Sequence, residues 1–433
     1  MILPIVSIPA SIATGLAGYK DLFPRSETFE HIQQYCTGLV VLERPSIQRM
    51  SQCFVEGSCQ SSLNKTITVS PWSKEEVIER RLELIEGHHQ RGMRVGILDS
   101  TFMHHPRGKT IYGVYKYWDY VEHQYTYAIQ LVTAAISTGD RLDGFDYRIY
   151  HRSFEEQERL YLEHTAVPQD STDIASWHRR MLDLLSFELH RQQAKKKGQL
   201  AVELIDAMEA SKIAPNVYAV DSGLFSPDVI GRIEHYGKPW LADSEKNRIL
   251  FHKGQRYNCE SFQKTLPAQV FKETTVCIHK QQRTFWVFTC CVRIHRYGKV
   301  RLAIMYDNPD KKGDPIYVFS KMLVWNAHKI LSVRLHRWDI EPFHEQIKQF
   351  LGAEDSQLQT EEGVRKHLTL VFVVNCQWNG TRMFSQPLVS DVAGSSWKSS
   401  MTSFKPFIVG SQKKPKLSRK SLNPCSIGFS MPK

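Results

Sequence analysis

Two short apolar runs, each ending in an aspartate, constrain this chain more than any other feature. Val95-Gly96-Ile97-Leu98 leads into Asp99, and Val217-Tyr218-Ala219-Val220 leads into Asp221. Short apolar runs rich in β-branched and aromatic residues read as strands. Open α/β sheets collect ligand-binding groups at the carboxyl ends of their strands. A third acid, Glu341, sits in a stretch with helical spacing. The three acids are 122 and 120 residues apart, so only a fold can bring them together.

The stretch around the third acid reads Arg337-Trp338-Asp339-Ile340-Glu341-Pro342-Phe343-His344-Glu345-Gln346-Ile347-Lys348. Steps of four and seven residues return to one helix face, so Arg337, Glu341 and Lys348 would share a face. Ile340, Phe343, Ile347, Phe350 and Leu351 would form the adjoining core stripe. Charges at this spacing are most often a solvated face with i,i+4 pairs. The sharper alternative is a carboxylate holding a metal ion while its cationic neighbours grip a phosphate backbone. Proline is tolerated only in a first helical turn. Pro342 therefore predicts a helix starting near Glu341, with Arg337 just outside it. Glu345 and Asp339 compete with Glu341 for the acidic role. Asp228 and Asp243 compete with Asp221, and Asp243 also follows a short apolar run. Asp99 alone could cap the turn before Pro106-Arg107-Gly108. The His104-His105 pair has no third ligand in view and reads as a loop pair.

A net charge of +11 and a pI near 9.1 point to a polyanionic partner, first of all nucleic acid. The hydrophobic and charged fractions, 42% and 23%, are those of an ordinary globular protein. No apolar run approaches the roughly 20 residues of a membrane span, so no membrane partner is expected. The first 18 residues lack a basic n-region and read as structure, not as a signal peptide. Nine cysteines without CxxC or zinc-finger spacing fit reduced thiols in a cytoplasm.

Residues 1–90 read as a helical domain, with helices expected over Glu27–Thr37, Ser46–Glu56 and Ser73–Gly87. Ser73 is the cap of the last, with Glu76 at the capping-box position. Its arginines and lysines suit DNA ends, and a packing domain is an equal reading. Strands follow at Arg94–Asp99, Thr110–Tyr117 and Tyr125–Ser137. A long helix is expected over Thr172–Lys212, broken near Lys195-Lys196-Lys197-Gly198. The strand ending at Asp221 comes next, then a helix capped by Ser226 with Pro227 at its first position. These elements make residues 91–244 the first part of a catalytic core. Residues 245–325 read as a β-rich insertion with strands near Thr274–His279, Thr284–Ile294, Val300–Tyr306 and Ile316–Phe319. Residues 326–384 complete the core with Glu341 and a further helix from Thr360 to Cys376. Residues 385–433 form a basic tail that reads as disordered.

Strand-strand-strand-helix-strand-helix, with acids on the first and fourth strands and on a late helix, is the layout of a ribonuclease H-like α/β mixed-sheet core. On these residues the chain resembles the DDE transposases of bacterial insertion sequences, in the branch with a β-rich insertion before the glutamate. Arg337, Glu341 and Lys348 match the family's Tyr-x2-Arg-x3-Glu-x6-Lys signature in register, and Arg334 stands at its tyrosine position. Trp338, Ile340 and Phe350-Leu351-Gly352 extend the match. Leu98-Asp99-Ser100-Thr101 resembles the first-aspartate motif, and Val220-Asp221-Ser222-Gly223-Leu224-Phe225 the second. Ser61-Ser62-Leu63 and Pro71-Trp72-Ser73 resemble the segment preceding the core. The resemblance covers roughly residues 28–380. It implies Asp99, Asp221 and Glu341 as catalytic ligands of two Mg²⁺ ions, with Mn²⁺ able to substitute. It also implies DNA contacts from Arg337, Lys348, Arg334 and His344, and double-stranded DNA partners, namely transposon terminal inverted repeats and target DNA. A homodimer in a synaptic complex and a bacterial, nucleoid-associated cytoplasmic location complete the expectation.

Overall fold

The computed structural model describes residues 4–89, 91–119, 123–139, 141–151, 195–278 and 281–380. Most of the long helix expected over Thr172–Lys212, and the basic tail, fall outside them.

Five helices open the chain: α1 (Ala10–Ala17), α2 (Ser26–Val41), α3 (Ile47–Cys53), α4 (Gln60–Thr68) and α5 (Lys74–His88). Ser73 caps α5 as expected, its hydroxyl accepting from the Glu76 N–H at 3.1 Å. β1 (Val95–His104), β2 (Val114–Asp119), β3 (Gln124–Ser137) and β4 (Leu142–Tyr150) then form an antiparallel group. β3 gives one edge to β1 and divides the other between β2 and β4. β4 is one strand more than the sequence pattern predicts. Its charged residues mask a period-two apolar set, Phe145, Tyr147 and Ile149, all buried.

After α6 (Lys197–Ala210), β5 (Val217–Val220) pairs parallel with β1. α7 (Pro227–His235) follows, capped by Ser226, and β6 (Trp240–Ser244) pairs parallel with β5. The β-rich segment adds β7 (Ile249–His252), β8 (Gln255–Asn258), α8 (Cys259–Lys264), β9 (Lys272–Ile278), β10 (Gln281–Ile294), β11 (Gly298–Tyr306) and β12 (Ile316–Ser320). These strands extend the same sheet. β12 pairs with β6, giving the order β2-β3-β1-β5-β6-β12-β11-β10-β7-β8, with β4 beside β3 and β9 beside β10. α9 (Ala327–Trp338), α10 (Ile340–Glu345), a π-helical turn (Gln346–Phe350) and α11 (Glu361–Gly380) close the described chain. The class is α/β, a mixed sheet with helices.

The sheet separates two buried layers. One layer joins Val95, Ile97, Ala219 and Leu241 to Ile330, Ile340, Phe343 and Val371, and to Leu16 and Ile32 of the first helices. The other joins Leu98, Val220, Trp240 and Ala242 to Leu204 of α6, Val229 of α7 and Phe262 of α8. The eight described cysteines are all free thiols. No helix among the described residues is long and apolar enough to cross a membrane.

One contact fixes the height of α10 above the sheet. The pairing of β3 with β4 shifts register at Ala134/Ala135, a bulge that places Gly144 opposite Ala135. A Cβ on Gly144 would come within 2.5 Å of Phe343 Cζ and 3.1 Å of Phe372 Cε1. The buried Arg81 guanidinium donates to the Gly144 and Phe145 carbonyls, which the bulge leaves off the ladder. Gly144→Ala should therefore cost about 1–3 kcal/mol by overpacking and displace Phe343 and its helix. Urea unfolding reads the first effect. A wild-type midpoint in the variant would contradict the contact.

Candidate active site

Side-chain alternation on three neighbouring strands decides where the acids point. On β1, Val95 and Ile97 belong to the layer under α9 and α10, and Leu98 to the opposite layer. A period of two puts Asp99 on the α9 side. Val217 and Ala219 set the same parity for Asp221, and Leu241 sets it for Asp243. Register then aligns them. Leu98 pairs with Val220 and Val220 with Ala242, so the next residue of each strand enters one row. The Asp221 N–H donates to the Leu98 carbonyl at 3.0 Å, carrying the alignment one residue past β5. Strands lie about 4.8 Å apart, so three like charges stand side by side.

The neutralising charge comes from α9. Arg337 Nη1 lies 3.3 Å from Asp99 Oδ2 and 3.4 Å from Asp221 Oδ1. Its Nη2 lies 2.9 Å from Asp243 Oδ2 and 3.9 Å from Glu341 Oε1. Arg334, one turn earlier, donates to both Asp243 oxygens at 3.1 and 3.0 Å and stacks over the Trp338 ring at 4.3 Å. Asp221 also accepts from the Gly223 N–H at 3.0 Å, and Asp99 from the Ser100 N–H at 2.6 Å.

A helix does start near Glu341, as α10 at Ile340, and Arg337 lies outside it, in a preceding helix that the sequence did not suggest. α9 holds Arg337 and passes into α10 through Asp339 alone, which keeps helical angles of φ −63° and ψ −18°. Arg337 and Glu341 therefore stay one turn apart on one path. Pro342 is the third residue of α10, within the first turn, where a missing N–H is tolerated. Lys348 falls in the π-helical turn, whose wider winding takes it off the regular α-helical face. It is half-buried in the field of Glu354, Asp119, Asp99 and Glu345, and burial pulls its ammonium below the usual lysine range. Phe350 leaves the expected core stripe and is exposed, whereas Ile340, Phe343, Ile347 and Leu351 are buried.

Burial sorts the residues expected to touch DNA. Arg334, Arg337 and His344 are only 3%, 6% and 7% exposed. The two arginines are engaged with carboxylates. His344 is hydrogen-bonded through Nε2 to Thr133 Oγ1 at 2.8 Å, and that hydroxyl also donates to the Asp99 carbonyl at 3.3 Å. Arg334 and Arg337 are thus occupied by carboxylates and His344 by Thr133. The Glu341 side chain, 63% exposed, is the accessible acid. His104 ends β1 and His105 opens the turn that follows, but not as an exposed loop group. His105 is buried, and burial lowers its pKa to about 4.

Burial first, and then the charge of Asp221, push the Asp99 carboxyl up to about 7 against the pull of Arg337. The donor set of Asp99, Asp221 and Glu341 is all carboxylate oxygen, which suits a hard divalent cation such as Mg²⁺ or Mn²⁺. Arg337 already lies within ion-pair reach of all three acids, so the cluster accommodates positive charge. A rival cluster, His88, Asp143 and Cys376, has ligand atoms within 4.8 Å of one another. There Asp143 accepts from Arg141 through both oxygens and from His89 at 2.9 Å, a satisfied ion-pair network. Sequence reasoning noticed Asp243 only as a competitor of Asp221 and passed over Thr133. The signal for Asp243 was present, since Trp240-Leu241-Ala242 is a third apolar run ending in an acid.

His344 makes the site layer acid-sensitive. Burial chiefly lowers its pKa to about 3, with Lys348 and Arg337 adding to the effect. A depressed folded-state pKa stabilises above the unfolded value near 6.5 and loses that contribution as pH falls toward 3. By pH 5 the loss is about 2 kcal/mol. His344→Gln, which keeps a donor and an acceptor for Thr133, should flatten the fall in melting temperature between pH 6.5 and 4. An unchanged slope would show that His344 does not titrate in this window.

A family model described as DDE superfamily endonuclease matches residues 19–178. The match includes Asp99 and ends before Asp221 and Glu341. No curated protein matches the chain. Endonucleases of this superfamily typically use divalent metals. The match supports the chain's resemblance to DDE transposases and a nuclease-type enzyme.

Proposed function

We propose that this protein is a transposase that cuts DNA at insertion-sequence ends and joins the freed ends to target DNA, with Asp99, Asp221 and Glu341 as its metal ligands. The observation that carries the reading is the convergence of three acids, remote in sequence, around one guanidinium on one face of the sheet. Two Mg²⁺ ions, or Mn²⁺ in their place, would supply activation of the attacking hydroxyl and stabilisation of the leaving oxygen in an in-line displacement at phosphorus. The chain supplies position. Thr133, bonded to the Asp99 backbone and to His344, ties β1 to α10. Glu341 stands at the accessible edge, where it can meet a ligand that arrives with DNA. Lys348 is the half-buried cation beside Asp99 and belongs to the scissile phosphate.

The net charge of +11 supports double-stranded DNA as the partner, both terminal inverted repeats and target. The domain assignments made from the sequence belong to this reading. Residues 1–90 recognise the transposon end, residues 245–325 help to hold DNA, and two copies act in a synaptic homodimer beside the bacterial nucleoid. The matched family's description as endonuclease favours one second reading, a nuclease that hydrolyses DNA without joining it.

Purified full-length protein mixed with the flanking DNA of its own gene should release linear ends with Mg²⁺ or Mn²⁺ and not with EDTA. Asp99→Asn, Asp221→Asn and Glu341→Gln should each lower cleavage at least about a thousandfold while DNA binding persists. Joined products in a target plasmid select the transposase, and cleavage without joining selects the nuclease. Binding with no cleavage by the wild type overturns both.

A further inference from the structure

Asp243 is the acid that the proposed reaction leaves unused. It stands in the same strand row as Asp99 and Asp221, is 8% exposed, and receives three guanidinium nitrogens. The Arg337 nitrogen nearest any carboxylate, at 2.9 Å, is the one on Asp243. The Arg337 contacts to Asp99 and Asp221 are longer, at 3.3 and 3.4 Å. Arg337 is thus shared between Asp243 and the acids assigned to metal. A cation at Asp99 and Asp221 must share those oxygens with Arg337 or displace it.

We propose that Asp243 is a positioning residue. It draws the Arg337 guanidinium off Asp99 and Asp221, and so sets how tightly those acids hold a divalent ion. Arg334 shares the Asp243 carboxylate, donating to both of its oxygens from over the face of Trp338, and so tempers that pull. The inference rests on the metal-site reading above and adds a residue to it. Without the Asp243 charge, Arg337 keeps only Asp99, Asp221 and Glu341 as partners. It closes on them and opposes the incoming cation.

The test is Mn²⁺ titration calorimetry of the full-length chain without DNA, so the readout is affinity and not turnover. Asp243→Asn should weaken Mn²⁺ binding about tenfold or more, the scale of one full charge moved a few ångströms at protein dielectric. Arg337→Gln should tighten it. In the Arg337→Gln background, Asp243→Asn should have no further effect. If the Asp243→Asn loss persists in that background, Asp243 acts on the ion directly, as a ligand or through its own charge, and the positioning role is overturned. Wild-type affinity in a folded Asp243→Asn protein overturns it as well. Asp243→Asn strands the buried Arg334, so Asp243→Asn with Arg334→Met, which fills the space over Trp338 without a charge, should show the same weakening. Arg334→Met alone should not weaken binding, because Asp243 is then free to draw Arg337 further. Asp99→Asn separates the two levels of the reading. Wild-type Mn²⁺ affinity in Asp99→Asn, or no binding by the wild type, removes the metal site itself. Abolished binding in Asp99→Asn with no effect of Asp243→Asn removes the positioning role alone.

Discussion

Three aspartates in one row of parallel strands repel one another, and the site depends on how that repulsion is relieved. Asp99, Asp221 and Asp243 are adjacent because β1, β5 and β6 are adjacent and in register. Burial raises the cost of their charge, since a carboxylate removed from water must be paired or protonated. Two guanidiniums serve four carboxylates, Glu341 included. The excess charge is negative, and burial first, then the neighbouring Asp221, push the Asp99 carboxyl up. A site balanced by its own arginines would have little use for a cation, whereas this one keeps a deficit next to an accessible glutamate.

The helical side of the site is held as firmly as the strand side. Ile340, Phe343 and Ile347 are buried, and Phe343 meets Phe372 of α11 at a ring distance of 5.5 Å. The bulge in β4 brings Gly144 against Phe343, and Arg81 satisfies the carbonyls that the bulge frees. The height of α10 above the sheet is thus set by packing, and the Arg337-Glu341 spacing by continuous helix through Asp339. The long excursion of β7 to β12 returns the chain beside β6 and hands it directly to α9. That return brings Arg334 and Arg337 over the three acids.

Much of this was legible because the strongest signals are local. The runs ending at Asp99 and Asp221, the Ser226-Pro227 helix start and the Ser73 cap each declare themselves within a few residues. The class of the fold and the resemblance follow from their order. What stayed hidden needs neighbours distant in the chain. β4 looked polar because Asp143 and Arg148 are paired within the fold. Arg334 and Arg337 looked like surface cations because helical spacing cannot tell a solvated face from one turned onto buried acids. His344 was expected at DNA, since its partner Thr133 lies 211 residues away and out of view of the local sequence. Pro342 marked the start of α10, and what it could not show is that α9 runs up to Asp339 directly before it.

The state of Asp99 links folding to ligand. A carboxyl pushed up to about 7 is favoured in its protonated form by the folded chain. Its contribution to stability is therefore full below the unfolded value near 4 and is lost as pH rises toward 7. At neutral pH the folded chain carries this cost, and any cation that binds the folded state at these oxygens offsets it by mass action. The opposite slope comes from His344, whose neutral ring stabilises above pH 6.5 and loses its effect in acid. The Thr133 hydroxyl bonds the His344 ring and the Asp99 backbone carbonyl, so the two residues with these opposed pH dependences meet in one layer. Asp99, proposed above as a metal ligand, is thus a group that leaves the protein short of its greatest stability at neutral pH. That conflict belongs at a functional site, where local rules of burial yield to chemistry.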